Sequence, residues 1–158
     1  MNDGQEKKGE FEKEPQPSSV PPLPTEDGNY HILVADDDSD TQELIQRLLS
    51  KQGYDVTITS NGKEAVQAVL GRRAYHLILM DINMPEMDGL MATRQIRAGL
   101  ELADNVMPII AITGESYEDA YQLGLAAGMN DVLNKPIFKA NLYDIVERWL
   151  AKSTAARR

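Results

Sequence analysis

The chain reads as an α/β protein, a doubly wound sheet of five parallel strands with five helices. Three observations predict this. Short apolar runs alternate with segments of helical spacing from about residue 30 to residue 150. The run from His76 to Met80 has no polar alternation, as expected of a strand covered by helices on both faces. Four of the runs also stop at a polar residue: Val34-Ala35 before Asp36-Asp37, Ile78-Leu79-Met80 before Asp81, Ile110-Ala111-Ile112 before Thr113, and Val132-Leu133-Asn134 before Lys135. In a parallel sheet such strand ends share one edge, and their side chains meet in one crevice. The intervals of 44, 32 and 22 residues between Asp37, Asp81, Thr113 and Lys135 are each long enough for a helical crossover.

The elements follow in order. Residues 31 to 35 form a short apolar strand. Ser39 with Gln42 three residues later makes a capping box, and Leu44, Ile45, Leu48 and Leu49 then recur at helical spacing until Gly53. Tyr54 to Thr59, rich in β-branched residues, is the second strand; Asn61 with Glu64 opens a helix burying Ala65, Val66, Val69 and Leu70 before Gly71. After the third strand, Asp88 caps a helix from about Gly89 to Ala98. The strand Pro108 to Ile112 precedes a helix from about Ser116 to Ala127, which Gly128 ends. Asp131 to Asn134 is the fifth strand. In the last helix Leu142, Ile145, Val146, Trp149 and Leu150 form one apolar stripe that points to core packing, and the helix is expected to end there. Right-handed crossovers give the flavodoxin-like order 2-1-3-4-5, which makes strands 1, 3, 4 and 5 neighbours.

The 158 residues, 42% of them hydrophobic, suffice for one core and not for two. Five of the eight prolines and seven acidic residues fall in the first 30 positions, so 1–29 is expected to be a disordered acidic, Pro-rich leader. Residues 30–151 are the expected folded domain and 152–158 a short tail. The start lacks the pattern of a secretory signal, no apolar run reaches the roughly 20 residues needed to cross a bilayer, and there is no cysteine. A cytoplasmic protein is therefore expected. The net charge of −9 argues against direct nucleic-acid binding.

Asp36, Asp37 and Asp81 brought together would repel one another or hold protons unless a cation joined them. Mg²⁺ is the natural partner, since it takes one or two carboxylates and phosphate oxygens while keeping waters. A carboxylate can also attack phosphorus, and Asp81, last on the central strand, is the candidate nucleophile. Phosphoryl transfer depends mainly on positioning and charge stabilisation, which Mg²⁺, the Lys135 ammonium and the Thr113 hydroxyl could each supply to one oxygen. Singly these residues have plainer readings: Thr113 as a cap, Lys135 as a surface cation, Asp38 and Asp88 as caps or turn residues. The ordered set carries the inference.

These segments resemble the receiver domain of two-component response regulators and hybrid histidine kinases. The resemblance rests on Ile32-Leu33-Val34-Ala35-Asp36-Asp37, the run Leu79 to Gly89, Ile110-Ala111-Ile112-Thr113, and Gly128-Met129-Asn130-Asp131 through Lys135-Pro136. It implies that Asp81 is the phosphoacceptor, that Asp36 and Asp37 form a Mg²⁺ pocket together with the backbone carbonyl of Asn83, that Thr113 is the switch hydroxyl, and that Lys135 binds phosphate. It also implies a cis Lys135-Pro136 bond, a histidine kinase or histidine phosphotransfer protein as partner, no turnover enzyme activity, and readout at the face of helix 4, strand 5 and helix 5. At Val132 many receivers carry an aromatic ring that rotates on activation; valine there favours a phosphorelay receiver over a switch driving an attached output. The chain could be a single-domain response regulator or the receiver module of a longer hybrid kinase. A haloacid-dehalogenase-type phosphatase is disfavoured because its second Asp would fall at Asn83, and a nucleotide- or flavin-binding module because no Gly-rich loop follows the first strand.

Overall fold

A computed structural model describes residues 29–71, 74–100 and 107–156, with side chains through Lys152. The elements are β1 (His31–Ala35), α1 (Ser39–Lys51), β2 (Asp55–Thr59), α2 (Gly62–Val69), β3 (Leu77–Asp81), α3 (Gly89–Gly99), β4 (Ile109–Thr113), α4 (Tyr117–Ala127), β5 (Asp131–Asn134) and α5 (Lys139–Ala156). All strand pairs are parallel and the sheet order is β2-β1-β3-β4-β5, the expected flavodoxin-like arrangement. Residues 1–28 of the expected leader and 157–158 of the expected tail lie outside the described residues. No helix among those described is long and apolar enough to cross a membrane.

The two-residue period of the strands divides the core between the two faces of the sheet. Ile32, Val34, Leu77, Leu79, Ile110 and Ile112 pack with Ile45 and Leu49 of α1 and Leu142, Ile145 and Val146 of α5. Leu33, Ile78, Met80, Ile109 and Ala111 pack with residues of α2, α3 and α4. Every β3 residue is buried, and each fully buried Leu or Ile contributes about 1.5–3 kcal/mol relative to exposure. The strand that ends in Asp81 is thus, like β4, buried along its whole length.

Helix starts show one correction. The N-cap of α1 is Asp38, not Ser39: its carboxylate accepts from the Thr41 N–H at 2.9 Å and the Thr41 hydroxyl at 2.7 Å. The Ser39–Gln42 capping box does not form, because a carboxylate taking both a backbone N–H and a hydroxyl outcompetes a single hydroxyl. Asn61 caps α2, while the Glu64 carboxylate takes the N–H of Ser60. Asp88 and Ser116 cap α3 and α4, and Gly128, at φ 112°, ends α4 in the left-handed region. α5 runs to Ala156, past the expected stop near Leu150.

The loop from Asp81 to α3 is drawn tight against the strand end. Gly89 N–H donates to Ile82 O at 2.8 Å, and a Cβ at Gly89 would stand 2.1 Å from Asp81 O, so only glycine allows this approach. Within the loop Glu86 sits at φ 69° while Met87 N–H donates to Pro85 O at 2.6 Å, a positive-φ γ-turn. A non-glycine residue in that region costs of order 1 kcal/mol or more. Glu86→Gly is therefore expected to stabilise the protein by roughly 0.5–1 kcal/mol after the larger unfolded-state entropy of glycine is counted. A lower melting temperature for the variant would contradict the strain.

Candidate functional site

The carboxyl ends of β1, β3, β4 and β5 bring the sequence-selected residues into one crevice. Asp36, Asp37 and Asp81 each offer a carboxylate oxygen, and these oxygens lie within 4.8 Å of one another. Asp36 and Asp81 are buried, at 0% and 4% exposure, whereas Asp37 is exposed. The Lys135 ammonium reaches in from the end of β5, 3.1 Å from Asp36 Oδ2 and 3.4 Å from Asp81 Oδ2. The Lys135-Pro136 bond is cis. Thr113 is fully buried, and its Oγ1 accepts from the Glu115 N–H at 3.0 Å.

The electrostatics follow from this crowding. Burial, then the neighbouring Asp36 charge, pushes the Asp81 pKa up to about 6, while Lys135 and the Asn83 N–H act the other way. Burial works against the charge on Lys135, but the carboxylates of Asp81 and Asp36 outweigh it and raise its pKa above the ordinary lysine value. One ammonium between two carboxylates leaves the cluster short of positive charge. Asp36 Oδ2 is buried and makes no hydrogen bond among the described residues, although Lys135 stands beside it.

Asn83 also faces the crevice: its backbone N–H lies 3.3 Å from Asp81 Oδ1, and its side-chain amide 3.3 Å from Glu115 Oε2. Glu115 is held in turn by the Asn134 amide, which donates to Glu115 O at 2.8 Å. Sequence reasoning missed Glu115 and Asn134. Asn134 ends the β5 run but was passed over for Lys135 beside it, and Glu115 lies in the loop after β4; only their meeting gives them a place at the crevice mouth. Val132 is buried in the cluster beneath α2, α3 and α4.

A five-stranded parallel sheet of order 2-1-3-4-5 with an acidic triad and a lysine at its carboxyl edge defines a signalling module of the receiver class. The family model of the response regulator receiver domain matches residues 32–147, and the chain belongs to that family. It is 38% identical over 121 residues to "Transcription factor SKN7" of Saccharomyces cerevisiae and 36% identical over 125 residues to "Hybrid signal transduction histidine kinase I" of Dictyostelium discoideum. Each alignment covers 77% of this chain, but only 19% and 7%, respectively, of those much longer relatives. Among solved structures it is similar to the receiver domain of sensor histidine kinase PA1611 from Pseudomonas aeruginosa, determined with a magnesium ion in its active-site cleft, at 38% identity and a TM-score of 0.70. That match covers 78% of this chain and 98% of the other. The chain is thus a receiver domain of two-component signalling.

Proposed function

We propose that Asp81 accepts a phosphoryl group from a phosphohistidine on a histidine kinase or histidine phosphotransfer protein, in a Mg²⁺-dependent step carried by residues 30–151. The convergence of three carboxylate oxygens within 4.8 Å, with Lys135 beside two of the carboxylates, is the observation that supports this reading most directly. The donor set suits a hard cation, and the buried Asp36 Oδ2, which has only the Lys135 ammonium beside it, is an acceptor that such a cation can also engage. Asp36, Asp37, Asp81 and the backbone carbonyl of Asn83 would hold Mg²⁺. When bound, the ion supplies Lewis acidity that offsets the charge of the phosphoryl oxygens.

The protein's own groups do the rest. An Asp81 carboxylate oxygen forms the new P–O bond as the donor's P–N bond breaks, the electron pair returning to the imidazole nitrogen. Lys135 already stands beside Asp81, so its ammonium can pair with one transferred oxygen without a large movement. The Thr113 Oγ1 accepts the Glu115 N–H, which leaves its own hydrogen to donate to another oxygen. The product is an aspartyl phosphate, and no turnover of small phosphoesters is expected. An aliphatic, buried Val132 has no ring to rotate, which favours a relay role over a switch driving an attached output.

Incubation with Mg²⁺ and acetyl phosphate should add one base-labile phosphoryl group to the intact mass, and excess EDTA should prevent the gain. Lys135→Arg keeps the charge but replaces a point ammonium with a planar fork, and should slow the gain at least severalfold. Steady release of phosphate from unrelated phosphoesters would support a phosphatase instead.

A further inference from the structure

Gln42 lost the capping role expected for it, and its amide is used elsewhere. Its Nε2 donates to the backbone carbonyl of Asp36 and lies 3.2 Å from Ser60 Oγ, tying the loop after β1 to the loop after β2. We propose that Gln42 is a positioning residue for the acidic pocket, setting its affinity for a divalent cation; this rests on the Mg²⁺-binding reading given above.

The reason lies in the peptide plane. The Asp36 carbonyl belongs to the Asp36–Asp37 peptide, so fixing that oxygen fixes the plane from which the Asp37 side chain departs. Two other Asp36 groups are already held: its N–H donates to Thr59 O at 3.1 Å, and its Oδ1 accepts the Asp38 N–H at 2.8 Å. Without Gln42 the carbonyl would lose its side-chain donor, and the peptide could rotate about its flanking bonds. Asp37 is the one exposed carboxylate of the three and depends most on its backbone for direction. Gln42 itself is half-buried on the first turns of α1, so its amide is held near the loop rather than ranging through solvent. Pre-ordering a ligand lowers the entropy lost on binding, which is how a residue that never touches the ion changes its affinity.

The test is calorimetric titration of Mg²⁺ into the metal-free protein at a temperature where every variant is fully folded. Gln42→Met, of similar length but without the donor, should raise the Mg²⁺ Kd about tenfold, the scale of losing an outer hydrogen bond to a metal site. Tyr143→Phe removes the hydroxyl that donates to Leu48 O at 3.0 Å and loosens the far end of the same helix; it should lower the melting temperature and leave the Kd within twofold. An unchanged Kd in folded Gln42→Met, with the native chain binding normally, overturns the positioning role alone. An equal rise in Tyr143→Phe also overturns it, by showing that general loosening of α1 is enough. A native chain that binds no Mg²⁺ overturns the site reading and this inference with it.

Discussion

Asp81→Asn should gain no phosphoryl group under conditions in which the native chain gains one, and its metal-free form should melt at a higher temperature than the native protein. The first result follows from removing the oxygen proposed as the nucleophile while keeping the shape of the side chain. The second follows from the pKa of Asp81, raised to about 6 by burial and by Asp36. A carboxyl group raised on folding binds its proton more tightly in the folded state than in the unfolded one, so its ionisation costs stability. That cost is absent below the unfolded value of about 4, grows between pH 4 and 6, and is complete above it. Asn removes it at neutral pH. Each kcal/mol recovered corresponds to roughly 3–6 °C at this size. The advantage should vanish near pH 4, where the native carboxyl is already protonated. A phosphoryl group still gained by the variant would place the acceptor elsewhere, and a lower neutral-pH melting temperature would contradict the electrostatic account.

Arg97→Ala should be among the most destabilising single changes in the chain, costing about 3–5 kcal/mol. Burial lowers the Arg97 pKa to about 10, which still leaves it charged at neutral pH. Its Nε donates to Gly128 O at 2.9 Å, Nη1 to Met107 O at 2.8 Å and Nη2 to Asn130 Oδ1 at 2.8 Å. Asn130 Oδ1 also accepts the Ile109 N–H, so one guanidinium organises the amino ends of β4 and β5 together with the end of α4. Truncation takes a charged donor from three part-buried acceptors, at about 1–3 kcal/mol each where no other donor remains, against a total stability of roughly 5–15 kcal/mol. Arg97→Lys should recover only part, since an ammonium cannot reproduce the fork. Urea unfolding should show a lower midpoint with an unchanged slope. A loss below about 1 kcal/mol would mean that the loops hold without it.

These two residues differ sharply in how legible they were. Asp81 stood at the end of an apolar run, and the run itself announced a buried strand; the same held for Asp36, Thr113 and Lys135. Arg97 and Asn130 gave no such signal. Arg97 lies on a helix whose charges could all have faced solvent, and Asn130 entered only within the Gly128–Asp131 segment of the resemblance, with no role of its own. Gln42 was noticed for the wrong reason: Ser39 and Gln42 fit a capping box, but Asp38 one residue earlier offered a carboxylate with two donors within reach. Local spacing cannot rank two caps when their competition is decided by side-chain geometry.

By itself the sequence determined the strand order, the crossover pattern and the residues gathered at the carboxyl edge of the sheet, because strand periodicity and connection length are local properties that restrict topology strongly. The tertiary structure decided how those residues meet. It put Lys135 between Asp36 and Asp81, buried Asp36 Oδ2 with that ammonium beside it, brought Glu115 to Asn83 across two loops, and turned Gln42 toward the Asp36 carbonyl. Distances, burial and the resulting pKa shifts depend on packing between elements remote in sequence, and that packing is absent from any single window of the chain.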